Sequence, residues 1–185
     1  MKEIISTGSS KILSDFLEKN ALHKRDFAQM VGVTLSYVYN LIDNTIPFST
    51  RSTTLERIAT VMDVEPEIFE EYRFPQEPII IDNSVDKIKK ILKSKKIKVV
   101  DFLKSFPRNK RLEIVDILRG ALPLPIDYNE LKYIGEVLNL KKEDVFSIWE
   151  ARFRQVLDLN GMNVYSNSDM IGKMVDCARS FVLSK

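Results

Sequence analysis

The chain has 185 residues and 21.4 kDa, 44% hydrophobic and 29% charged, a balance that fits one or two packed domains and excludes a disordered chain. A single Cys and a single His exclude a disulfide framework and a His/Cys zinc site, and leave His23 alone to serve any Ser-His or Cys-His hydrolase. The net charge of +2 hides an asymmetry, because residues 1–74 carry 8 Lys/Arg against 11 Asp/Glu while residues 84–122 carry 12 against 4.

That basic block beside an acidic one points to a polyanion contacted by one part of the molecule. A solvated lysine-rich helix face is the plainer reading. No apolar run reaches 18 residues, and the opening Met1–Gly8 has no long apolar stretch. A cytoplasmic protein without a membrane segment, a metal or another cofactor is expected.

Only 6 Gly are present, and apolar residues recur at three and four rather than two, the helical signature. In chain order the stripes are Ile12, Leu13, Phe16 and Leu17; Phe27, Ala28 and Val31; Val38, Leu41 and Ile42; Leu55, Ile58, Ala59 and Met62; and a short Ile68, Phe69 and Tyr72. Five helices over 9–74 are expected. Asn20-Ala21 ends the first, with Asn suited to the left-handed conformation. Gly32 separates the second and third, and Thr34 is an N-cap for the third. Thr53 with Glu56 matches a capping box before the fourth, and Pro66 suits the first turn of the fifth.

Residues 75–83 read as a linker, with Pro75 and Pro78 disfavouring helix before them. Ser84 then caps a further helix. From there the first half recurs. At an offset of 75, Leu13, Phe16, Leu17 and Phe27 fall on Ile88, Ile91, Leu92 and Phe102. At an offset of 76, Val38, Leu41, Leu55, Ile58, Val61 and Met62 fall on Ile114, Ile117, Leu131, Ile134, Val137 and Leu138, and Ile46-Pro47-Phe48 on Leu122-Pro123-Leu124. Two copies of one unit, 9–74 and 84–150, follow from that register. Residues 151–185 form a C-terminal helical tail, broken at Asn160-Gly161 and then capped by Ser168. Met170, Ile171, Met174, Val175, Ala178, Phe181 and Val182 make its apolar stripe, which suits either packing on the second copy or a homodimer contact.

The run from Lys24 to Leu41 is the informative place. A small Ala28 lets two helices cross closely, Gly32 makes the tight turn four residues later, and Thr34 caps the next helix with Val38 and Leu41 behind it. This is helix-turn-helix spacing. Together with Thr54–Glu67, which follows the pattern of the two later helices, the segment resembles the Cro and phage-repressor (xenobiotic-response-element) type of helix-turn-helix domain. The likeness covers about 65 residues, and the second copy shares it more weakly, with Leu103 and Pro107 at the Ala and Gly places.

The resemblance implies an all-α fold of two tandem five-helix domains and a sequence-specific DNA-binding transcriptional regulator, a repressor acting by operator occupancy. It sets the base-reading positions at Lys24, Thr34, Leu35, Ser36 and Asn40. The third helix, Thr34–Asp43, holds no Lys or Arg, so phosphate contacts fall to Lys24, Arg25 and Arg51, and in the second copy to Arg108, Lys110 and Arg111, with Asn109 as cap. Double-stranded DNA is the expected partner. The alternative is a protein-interaction adaptor or antirepressor that docks the uncharged third helix on another regulatory protein. No residue pattern for catalysis stands out. Cys177 and Trp149 read as packing residues.

Overall fold

In the computed structural model the residues described are 8–43, 48, 51–73 and 83–183. They are all-α, with no strand among them. The helices group into two compact units that interleave along the chain: residues 1–79 with 97–122, and residues 80–96 with 123–185. Residues 97–122, which the repeat register assigns to the second copy, thus belong with the first unit. The expected linker 75–83 falls mostly outside the described residues, as does Ile46-Pro47.

The first unit contains α1 (Gly8–Lys19), α2 (Lys24–Val31), α3 (Leu35–Ile42), α4 (Ser52–Met62) and a single 3-10 turn at Pro66–Ile68. Where a fifth helix is expected after Pro66, the chain makes only that turn, and buried Phe69 stacks on Phe48 at 5.5 Å between ring centroids. The chain passes through the other unit in α5 (Asn83–Ser94) and returns with α6 (Val99–Lys104), a 3-10 turn at Arg108–Lys110 and α7 (Arg111–Leu118). α2 packs on α3, α4 and α7, and α4 packs on α6 and α7. Leu13, Phe27, Val38, Leu41, Leu55, Ile58, Leu103 and Val115 are sealed from solvent in this core.

Some local stops differ from expectation. Ala21, not Asn20, takes the left-handed backbone after α1, at φ 44°. The Asn20 amide instead donates to the Phe16 carbonyl at 2.9 Å, and its oxygen accepts from Lys98 Nζ at 3.0 Å. Arg51, not Thr53, is the N-cap of α4, which leaves Glu56 free of capping duty. Asn109 lies inside the 3-10 turn, and Ser84 lies within α5.

The second unit contains α5, α8 (Tyr128–Val137), α9 (Lys142–Leu159) and α10 (Ser168–Leu183). α9 is its axis, for α5, α8 and α10 each pack on it. Gly135 permits the close approach of α8 and α9, since a Cβ there would run into Val145. Lys95 Nζ donates to the carbonyls of Leu138 and Asn139, both at 2.8 Å, and so closes the C-terminus of α8. Trp149 is half-buried and donates to the Ile126 carbonyl at 3.0 Å while stacking on Phe153 at 5.1 Å.

Candidate nucleic-acid interface

The turn between α2 and α3 has the geometry that its residues demand. Ala28 is buried where the helices meet. Gly32 ends α2 at φ 76°, a backbone that L side chains rarely adopt, and its N–H returns to the Ala28 carbonyl at 2.9 Å. A Cβ on Gly32 would also stand 2.9 Å from both methyl carbons of Leu112, so α7 closes over this turn. The Thr34 hydroxyl oxygen accepts from the Tyr37 N–H at 3.2 Å and starts α3.

Two buried anchors, Val38 and Leu41, fix the rotation of α3. The opposite face therefore turns outward. It presents Thr34, Ser36, Tyr39 and Asp43 as exposed residues, with Leu35, Tyr37, Asn40 and Ile42 half-buried. This face carries no cation of its own. The start of α2 supplies one: Lys24 Nζ sits 4.3 Å from the centroid of the Tyr39 ring. Tyr39 has no place among the residues expected from sequence, and its exposure on α3 beside Val38 is what reveals it.

Further cations reach the same edge from a distant part of the chain. Arg108 Nη2 lies 3.6 Å and Arg111 Nη1 3.7 Å from Asp26 Oδ1, in the first turn of α2. Arg25 is exposed in that turn. Lys24, Arg25 and Arg108 thus gather around the start of α2, with Asp26 between them. Lys110 is exposed in the same 3-10 turn as Arg108 and pairs with Glu113 at 2.9 Å. Arg51 is exposed at the cap of α4.

Arg111, expected as a phosphate contact, is instead buried. It is 9% exposed, and its guanidinium donates to the carbonyls of Phe106 at 3.1 Å and Lys104 at 3.2 Å. It closes the end of α6 against α7 and is not placed on the surface for a phosphate. The basic block of the sequence is divided as well. Residues 1–79 and 97–122 hold 14 Lys/Arg against 15 Asp/Glu, and residues 80–96 and 123–185 hold 14 against 11. The first unit, which carries the α2–α3 turn, is not basic as a whole, so any affinity for a polyanion there rests on local placement.

An ionic chain ties α4 to α7. Arg57 holds Asp116 with two bonds, Nε to Oδ1 at 2.8 Å and Nη2 to Oδ2 at 2.9 Å. Arg119 Nε donates to the same Oδ1 at 2.7 Å, and Arg119 Nη1 donates to Glu56 Oε2 at 2.9 Å. The Tyr72 hydroxyl donates to Glu56 Oε1 at 3.2 Å. Burial pushes the Asp116 carboxyl up, but the hydrogen bonds and charges of Arg57 and Arg119 outweigh it and hold the group below the usual carboxylate range. Burial, and then the Glu56 charge and hydrogen bond, raise Tyr72 to about 12. The sequence signal for this network is a lone Asp inside the apolar run Ile114–Leu118, a position that periodicity alone does not single out.

Among the described residues, no group of three His, Cys, Asp or Glu side chains gathers at a spacing that holds a metal ion, and no helix is long and apolar enough to cross a membrane. His23 is exposed at the cap of α2, and Cys177 is exposed on α10. No protein-family model matches the chain, and no curated protein or solved structure matches it either.

Proposed function

We propose that the first unit binds double-stranded DNA and that the protein is a cytoplasmic transcriptional regulator of the Cro and phage-repressor type, acting by operator occupancy and not by catalysis. The observation that carries this reading is the α2–α3 turn. Its outward helix is rotated by two buried anchors and capped by Thr34, and Lys24, Arg25 and Arg108 stand beside it. An exposed helix of this kind fits a major groove. In this reading Lys24, Arg25 and Arg108 neutralise phosphates and set affinity. Ser36 and Asn40 read base edges, and Leu35 and Tyr39 touch thymine methyl groups. Arg51 and Lys110 are the outer phosphate contacts. Two half-sites would be held by a homodimer through the C-terminal helix.

One observation favours a second reading. The face of α3 has no Lys or Arg, and Tyr39 is 44% exposed there. Such a face also suits a protein partner, in an adaptor or antirepressor. Selection of duplexes from a random DNA pool, at stated salt, separates the two. Enrichment of one sequence is the expected result. Failure to enrich any sequence favours the protein partner.

A further inference from the structure

Helix α5 carries lysines that the fold leaves unpaired. Residues 84–96 hold six of the 12 cations of the basic block, Lys87, Lys89, Lys90, Lys93, Lys95 and Lys96, against Asp86 alone. Two of the six have structural duties. Lys87 Nζ donates to the Ser147 carbonyl of α9 at 3.3 Å, and Lys95 closes the end of α8. Lys89, Lys90, Lys93 and Lys96 are exposed, and among the described residues none of the four is ion-paired.

The rotation of α5 places them. Val85, Ile88 and Leu92 are buried, and the helix packs on α9. At about 100° per residue, Lys89, Lys90 and Lys93 fall within about 100° of one another, outside that buried stripe. Asp86 begins the same face one turn earlier and is exposed as well. Lys96 follows just past the helix, at φ 54°. Cations suit the last turn of a helix for structural reasons, which covers Lys93 but not Lys89 and Lys90 in its middle. Exposed Lys141, the cap of α9, extends the patch, since it lies two residues beyond the Asn139 carbonyl that holds Lys95.

The chemistry of the face selects its partner. The apolar side of α5 is covered by α9, so the helix has no apolar face to lay into a bilayer. α5 carries no aromatic residue on which single-strand bases could stack, and no Arg to fork onto a base edge. What remains is lysine, a point charge on a flexible stem that meets phosphate without a fixed geometry. Lys89 and Lys93 stand about 6 Å apart along the axis, and one DNA strand places a phosphate every 3.4 Å or about that of its own axis, so each can meet a phosphate of its own. We propose that this face of the second unit is a sequence-independent phosphate contact for double-stranded DNA. It rests on the DNA reading for the class of polyanion, but not on the α2–α3 turn.

Binding of the full chain to a mixed-sequence duplex, across a salt series, tests it. The variant Lys89→Gln, Lys90→Gln, Lys93→Gln, Lys96→Gln should lose affinity, and its slope of log affinity against log salt should flatten by about 0.9 for each phosphate no longer met. Its melting temperature should match the wild type, because none of the four side chains is packed. The same four positions changed to Arg should keep the wild-type slope. A control, Lys11→Gln, Lys19→Gln, Lys132→Gln, Lys173→Gln, removes the same charge from other exposed positions and should leave the slope unchanged. On a selected duplex the α5 variant should lose affinity by the same factor as on the mixed one, with sequence preference intact. The two readings fail separately. Selection that enriches no sequence, with the α5 effect still present on the mixed duplex, contradicts the α2–α3 reading and supports this one. Sequence-selective binding with an unchanged slope in the α5 variant overturns this one alone. Equal flattening in the control, or tighter wild-type binding to a single strand of the same length or to vesicles containing phosphatidylserine than to the duplex, would overturn it too.

Discussion

Asp116 is the hub of the ionic chain between α4 and α7. Its side chain is 12% exposed and receives three hydrogen bonds from two arginines. Asp116→Ala removes the carboxylate that Arg57 holds with two bonds and leaves Arg119 bonded to Glu56, and breaking a buried pair in this way costs about 3 kcal/mol. Chemical denaturation is expected to show that loss, with α-helical content retained at low denaturant. The same group sets a pH dependence. Its folded-state pKa is depressed, so its contribution is present above the unfolded carboxylate value of about 3.9 and is lost as pH falls through the lower folded value. Tyr72 acts at the other end. Its folded-state pKa is raised to about 12, so its contribution is present below the unfolded value of about 10 and is lost as pH rises between the two. A pH series of thermal melts should show the acid decline, and Asp116→Asn should flatten it. Gly32 is the second sensitive residue. Ala there meets both a positive φ and the Leu112 methyl groups, so Gly32→Ala should destabilise by about 2 kcal/mol.

At the scale of elements, the sequence is most legible where periodicity and turn chemistry agree. The rotation of α3 follows from Val38 and Leu41, and its start from Thr34, and both are where the pattern puts them. The helix expected after Pro66 shrinks to one turn, because Phe69 is drawn inward against Phe48. The tail stripe is a single face in the sequence pattern. Its seven residues divide into a packed face and an exposed one, since a run that includes adjacent pairs such as Met170-Ile171 is wider than one contact can cover. Arg111 is unreadable as a buried residue, because burial of its guanidinium depends on the carbonyls at the end of α6, which no sequence period displays. Two element-level outcomes are expected. Thr34→Ala should remove about 1 kcal/mol through loss of the α3 cap, as read by denaturant titration. Asn40→Ala should relax preference at one base pair, by about 1–3 kcal/mol of discrimination, with little effect on other positions.

For the whole molecule, chain order is the misleading signal. The register between the halves suggests a division at the prolines near residue 75, whereas the compact units exchange segments after residues 79, 96 and 122. Helical periodicity shows which face is apolar but not which helix covers it. The closing of α7 over Gly32 and α4 is a pairing between residues about 60 to 80 positions apart, carried by Leu112, Asp116 and Arg119. A consequence is that residues 1–79 alone lack the cover of α6 and α7. That fragment should melt without cooperativity, whereas residues 1–122 should retain a cooperative transition. Equal melting of the two fragments would restore the chain-order division. The charge block that points to a polyanion is shared between the units, so the proposed binding by the first unit would depend on the few cations that the fold brings to α2. The most direct test is the salt dependence of binding to a selected duplex, for the wild type and for the triple variant Lys24→Ala, Arg25→Ala, Arg108→Ala. The slope of log affinity against log salt should flatten by about 0.9 for each phosphate no longer neutralised, close to three units in all. Equal slopes would contradict a DNA-binding edge at the start of α2.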